Sequence, residues 1–246
     1  MFNVAVIVVA LATAHIVAAR PADDHHHGCK TKENSFKECF IESGNHLFKM
    51  LHKGDKSLNL PVLDPLEVKK MTVFNLGQHM RLEMSDATHR GLGDAVISSA
   101  DADPQHYTFM MNMTIPKYSI KGKYDMNAKI ANLPMQGVGN ADITLEDLQV
   151  WWDVKGKPVT RKGKQYMEIT EFKANFAPKV MKIHLDNLFN GNKELGTTIN
   201  TFLNENWEEV LKQLKPSMEK SWSQLMKAIG TKLLEKIPYK EMFPDM

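Results

Sequence analysis

Ten histidines, two cysteines and one glycosylation sequon are the residues of this chain whose types and spacing could do chemistry. His25, His26 and His27 are consecutive and could catch a transition metal through imidazole nitrogen. They sit in the polar stretch Arg20–Gly28, where nothing fixes their geometry, so no metal or other cofactor is expected. The remaining seven histidines are scattered, and His184, between Ile183 and Leu185, falls on the polar side of an alternating segment. The sequence holds no Gly-x-Ser-x-Gly elbow, His-Glu-x-x-His pair, phosphate loop or dinucleotide fingerprint. A triad can be spread through a sequence, which keeps a cryptic hydrolase as a third reading behind two non-enzymatic ones. Cys29 and Cys39 lack the CxxC spacing or third ligand of a redox or metal site. In an oxidising compartment they pair and staple the N-terminus to the helix that follows. Asn112-Met113-Thr114 is a sequon, and Asn112 lies on the polar face of its strand, where a glycan points to solvent.

The compartment is read from residues 2–19, an apolar run that ends in Val17-Ala18-Ala19 before Arg20. Small residues at that position suit a signal-peptidase cut after Ala19. The alternative is a membrane anchor, but the run is short for a ~20-residue span and is interrupted by His15. A secreted, extracellular mature chain is expected, with no stable membrane insertion. A net charge of +2 and the lack of a basic run interleaved with aromatics argue against nucleic acid. Sixteen methionines are many, and Met adapts to varied apolar partners.

The elements that must position any site follow from periodicity. Residues 195–237 repeat apolar side chains every three or four positions, which predicts one long amphipathic helix, kinked or divided at Pro216. Ser35-Phe36-Lys37-Glu38 has the form of a capping box and opens an earlier helix. Between about 69 and 185 the period changes to two. Strands are expected at 72–84, 92–99, 107–115, 124–130, 138–152, 164–173 and 179–186. Turns are expected at Leu133-Pro134, Lys155–Pro158 and Asn190-Gly191. Of the pair Trp151-Trp152, one ring should enter the interior while the other stays near solvent. The fold class is α+β: a highly curved antiparallel sheet wrapped around a long C-terminal helix, enclosing an apolar tunnel. Residues 20–246 read as a single domain.

Four stretches resemble the juvenile-hormone-binding protein/Takeout family of secreted insect proteins. They are Cys29-x9-Cys39 with Phe40-Ile41, the run 51–68 with its Leu63-Asp64-Pro65-Leu66 core, residues 124–145 with Gly137-x-Gly139, and residues 186–216 leading to Phe243-Pro244. The resemblance implies a tubular lipid-binding architecture and a carrier without catalytic residues. Hormone-binding members usually have a second disulfide, which this chain lacks, so it is the more Takeout-like. Tyr124 matches a family tyrosine that meets a ligand's polar end. From strand alternation and the helix, the expected wall is Phe109, Met111, Met113, Tyr124, Met126, Ile130, Trp152, Phe202, Trp222 and Leu225. The expected partner is an elongated hydrophobic molecule, such as a juvenile-hormone-like terpenoid, a fatty acid or another lipid. The alternative is a secreted signalling or membrane-docking protein whose interior is filled by its own side chains.

Overall fold

The structure, a computed structural model, describes residues 28–54, 62–75, 80–131 and 133–246. The apolar run 1–19, the histidine triplet and residues 55–61 lie outside the described residues. Helix α1 (Phe36–Lys53) begins directly after Ser35 and stops at Gly54, whose φ of 69° is the left-handed close that glycine permits. Seven strands follow: β1 (Leu66–Asn75), β2 (Arg81–Arg90), β3 (Val96–Asp103), β4 (Thr108–Ile130), β5 (Leu133–Arg161), β6 (Lys164–Ala177) and β7 (Val180–Leu185). Helices α2 (Lys193–Glu205), α3 (Trp207–Leu234) and α4 (Tyr239–Met242) end the chain. Cys29 and Cys39 form a disulfide, and the Cys29 amide donates to the Met242 carbonyl, which ties the described N-terminus to α4.

Every strand pairing is antiparallel, and β4 and β5 are the spine, paired from Thr108–Lys155 to Ile130–Leu133. The far side of β4 is shared by β3 along residues 108–114 and β2 along 119–127. The far side of β5 is shared by β7 along 141–146 and β6 along 149–161. The expected strand at 72–84 is therefore two strands, and the segments 107–115 and 124–130 are one. Lys155–Pro158 is not a turn. Beyond Lys155, β5 has lost β4 as a neighbour, and a strand edge tolerates a proline that has no N–H to give. The reversal comes at Lys162-Gly163, both at positive φ. Leu133-Pro134 opens β5 just after its turn, and the strand expected at 92–99 begins only at Val96, after a short 3-10 turn at Leu92–Asp94.

The sheet curls where its inward face changes parity. β4 buries Met113 and Ile115, then Tyr118 and Ile120; β5 buries Leu145, then Leu148 and Val150; β2 buries Met84, then Ala87 and His89. Asp147 on β5 and Asp86 on β2 sit at these steps, both at φ 47°, a left-handed conformation that Asp adopts more readily than most residues. One residue out of phase bends a strand and raises its twist.

Side chains on the helices close the strand edges. Asn45 on α1 accepts from the Ile97 amide of β3 at 2.7 Å and donates to its carbonyl at 3.3 Å. Asn200 and Asn204 on α2 make the same pair of bonds with Leu185 and Ile183 of β7. One helical turn (i, i+4) matches two residues of strand closely enough for both clamps to fit. On α3, Ser223 accepts from the Ala174 amide and Glu219 from the Phe176 amide of β6, while Ser221 donates to the Thr72 carbonyl of β1. Helix α3 thus bridges the two outer strands of the curled sheet. Its interruption lies not at Pro216 but at Asn206 (φ −117°), between α2 and α3, where the asparagine amide donates to the Phe202 carbonyl. Pro216 sits inside α3, and both it and Lys212, whose carbonyl it leaves without an amide, are exposed. An exposed carbonyl is within reach of solvent, so the proline is tolerated there.

Candidate ligand-binding tunnel

Between the concave sheet and α3 lies an apolar cavity, with about 1210 Å³ of space between atoms when the open solvent at its edges is counted. Its wall comes from β1, β2, β4, β5, β6 and β7 on one side and from α2 and α3 on the other. Seven of the sixteen methionines line it: Met71, Met84, Met113, Met126, Met135, Met181 and Met218. Met side chains adjust their shape at little energetic cost, which makes this wall deformable. Among the described residues, no Lys, Arg, Asp or Glu lines it. The charged residues instead form cross-strand pairs on the outer face, such as Lys70–Glu83, Lys121–Asp142 and Lys157–Glu168. Exposed pairs of that kind contribute little individually.

Of the residues expected in the wall, Met113, Tyr124, Met126, Ile130, Trp152 and Trp222 lie together around the cavity. Phe109, Met111, Phe202 and Leu225 do not line it. Phe109 stacks on Phe40 and Phe243 at 5.8 and 5.9 Å, in a separate small core with Tyr239 under α1 and α4. The reason is its place on β4: the strand extends past the end of α3, and the short C-terminal helix covers that end instead. Met111 packs between the two cores, while Phe202 and Leu225 pack half-buried against the main one. Trp152 faces inward and Trp151 is 39% exposed on the outer face. Asn112 pairs with Trp151 on that outer face, and its amide nitrogen donates to the Ser99 hydroxyl at 2.9 Å.

The Tyr124 ring forms part of the wall, but its hydroxyl donates to the Asp186 carbonyl at 2.6 Å. Burial, helped by the Asp186 carboxylate, pushes its pKa up to about 12, so the proton stays. This contact explains one glycine of the Gly137-x-Gly139 sequence: a Cβ at Gly137 would come within 2.6 Å of the Tyr124 hydroxyl. The buried Asp64 of the Leu63–Leu66 motif is structural too. It accepts from the Gly91 and Gly93 amides at 2.8 and 3.0 Å and holds the turn before β3.

Two polar residues not expected from the sequence complete the site. His89 is fully buried, and its Nδ1 lies 2.7 Å from the Tyr118 hydroxyl. The Trp222 ring stacks over the imidazole at 5.9 Å and meets Tyr118 edge-on at 5.5 Å. Burial lowers the His89 pKa to about 4, so the ring is neutral near pH 7. Burial, and then the charge of Asp64, raises that of Tyr118 well above its usual value. Among the described residues, two buried side-chain polar atoms have no hydrogen-bond partner, His89 Nε2 and Trp152 Nε1, and both residues line the cavity.

Comparison with known proteins accords with this geometry. The circadian clock-controlled protein daywake of Drosophila yakuba is 28% identical over 225 residues, covering 87% of this chain and 85% of its own. A Schistocerca gregaria protein with the provisional name beta-carotene-binding protein is 22% identical over 196 residues, 79% of this chain and 78% of its own. The crystal structure of Epiphyas postvittana Takeout 1 superposes with a TM-score of 0.76 at 25% identity, covering 88% of this chain and 99% of that one. The family model described as haemolymph juvenile hormone binding protein matches residues 4–244, and the chain belongs to that family.

Proposed function

We propose that this protein is an extracellular carrier that holds an elongated, water-insoluble molecule in the tunnel and shields it from water. The observation that carries the reading is a cavity whose wall is apolar and, among the described residues, contains no charged side chain. The family description names juvenile hormone binding, and the Schistocerca relative is named for beta-carotene, so terpenoid-derived lipids head the candidate cargo, with fatty acids and other lipids next. A ligand of ~20 heavy atoms at ~0.3–0.5 kcal/mol per atom would bind with about 6–10 kcal/mol. That corresponds to micromolar to tens-of-nanomolar affinity.

In this reading residues 1–19 are removed on secretion and 20–246 act as one domain. The disulfide supports an oxidising compartment. The exposed Asn112 is open to glycosylation on the secretory route. Native mass spectrometry of the secreted protein, followed by lipid extraction, tests the reading. Co-purifying lipid, or displacement of an uncharged naphthylamine dye by added lipids, is the expected result. Neither lipid nor dye bound to folded protein would refute the carrier and favour a signalling or docking role. Ester turnover abolished by a point substitution would establish an enzyme.

A further inference from the structure

The tunnel wall is apolar except at a few points, and the pattern of those points constrains what it holds. Tyr118 has one hydrogen-bond partner among the described residues, His89 Nδ1. Both groups are buried, and the hydroxyl proton has no other acceptor, so Tyr118 donates to Nδ1. A neutral imidazole with Nδ1 accepting carries its own proton on Nε2. That nitrogen is a buried N–H with no acceptor among the described residues, on a side chain that lines the cavity. Leaving such a donor unmatched is costly, whereas a ligand oxygen placed there satisfies it. Trp222 over the ring and Tyr118 on its other nitrogen fix the direction in which the N–H points.

Resting on the carrier reading, we propose that His89 Nε2–H is the polar anchor of the tunnel and selects neutral lipids bearing a carbonyl oxygen, an ester or a ketone. A hydrocarbon leaves the donor unmatched. A free carboxylate brings a charge among described wall residues that offer no cation, and an unpaired buried charge is expensive. Tyr124 cannot substitute as donor, because its hydroxyl proton already goes to the Asp186 carbonyl. The second unmatched donor, Trp152 Nε1, belongs to a different stretch of the sheet. On β4 the partner of His89 is Ile120 and that of Trp152 is Met111. Nine residues of strand span up to roughly 30 Å at ~3.3 Å per residue.

The test is a matched series: an alkane, a methyl ketone, a methyl ester and a free carboxylate of equal chain length, each displacing N-phenyl-1-naphthylamine at pH 7. The ketone and ester should bind about tenfold tighter than the alkane and the carboxylate, the weight of one well-made buried hydrogen bond. The double variant His89→Phe with Tyr118→Phe removes both hydrogen-bond partners together and leaves neither orphaned. It should lose that advantage, so that ketone, ester and alkane bind to it alike. Equal binding of alkane and ketone to the wild type would overturn the proposal and leave the carrier intact; no binding of any probe would instead count against the carrier reading. An equal loss for all four ligands in the double variant would reduce the pair to packing. If that variant does not fold, the 15N resonance of His89 Nε2 in the wild type decides. It should carry a proton and shift on adding ketone but not alkane, and an unprotonated Nε2 or an equal shift with both would refute the assignment.

Discussion

Met126→Trp tests whether the wall is a tunnel or a filled core. Met126 is 3% exposed, on β4, between Leu82 of β2 and Gly137 of β5, and its side chain faces the cavity. An indole in its place takes up bore length worth roughly three or four methylene groups, and at ~0.8 kcal/mol per buried CH2 a displaced ligand loses about 3 kcal/mol. That is roughly two orders of magnitude in Kd. In a solid core the same enlargement costs ~1–3 kcal/mol of folding stability, but a site that opens onto free space costs less. The control is Met110→Trp, the same exchange on the same strand at an outward position that is 49% exposed. Dye displacement and thermal unfolding are measured on all three proteins. The expected result is a large affinity loss with a melting shift of a few degrees for Met126→Trp, and neither for Met110→Trp. A strongly lowered melting temperature with unchanged affinity per folded molecule would place Met126 in solid core and refute the tunnel.

Three further outcomes follow from the geometry. Tyr124→Phe removes the 2.6 Å bond to the Asp186 carbonyl and should cost about 1 kcal/mol in urea unfolding with ligand affinity unchanged. A selective affinity loss would show that the hydroxyl serves the ligand. Asn204→Ala opens the Ile183 amide and carbonyl on the β7 edge and should cost about 1–3 kcal/mol, with more self-association, which size-exclusion chromatography reads. No change in either would mean that the clamp is dispensable. His89, with its pKa lowered to about 4, refuses in the folded state a proton that the unfolded chain accepts near 6.5. The unfolded state therefore binds more protons in that window, and stability falls as pH drops from about 6.5 to about 4, by roughly 3 kcal/mol in all. Urea unfolding at about pH 7 and pH 4.5 should show this loss in the wild type and a smaller one in the His89→Phe/Tyr118→Phe protein. Equal losses would assign the acid sensitivity elsewhere.

How far the sequence could be read depended on whether the alternation stayed in phase. Met113, Tyr124, Met126 and Ile130 belong to runs with an unbroken period of two, and all four line the cavity. His89 and Tyr118 lie just past phase steps. Strict alternation from Met84 puts His89 on the outer face with Glu83 and Ser85, and strict alternation from Ile115 puts Tyr118 outside as well. The steps at Asp86 and after Pro116 reverse both. A charged residue that lands on the apolar parity of a strand, as Asp86, Lys117 and Asp147 do, was the available signal, because none belongs on a buried face. Phe109 and Phe202 had the right residue type at the right period. What period alone could not supply was which helix covers which end of a 23-residue strand. The Asn206 break was hidden for a similar reason, since proline is the stronger helix breaker and only exposure of Pro216 makes it harmless.

The clamps also explain how an unfilled interior is tolerated. An ordinary α+β core holds its helix by filling the space beneath it, and emptying that space is costly. Here α2 and α3 are also held from the rims of the sheet, by Asn200 and Asn204 on β7, by Glu219 and Ser223 on β6 and by Ser221 on β1. Those bonds satisfy backbone groups that an open edge would leave bare, so they contribute whether or not the bore beneath is occupied. The same division of labour keeps polar groups out of the tunnel, since the strand edges find their partners at its margins. The unmatched N–H groups of His89 and Trp152 are then exceptions to a wall otherwise settled within the protein, which makes them the positions where ligand chemistry can be told apart.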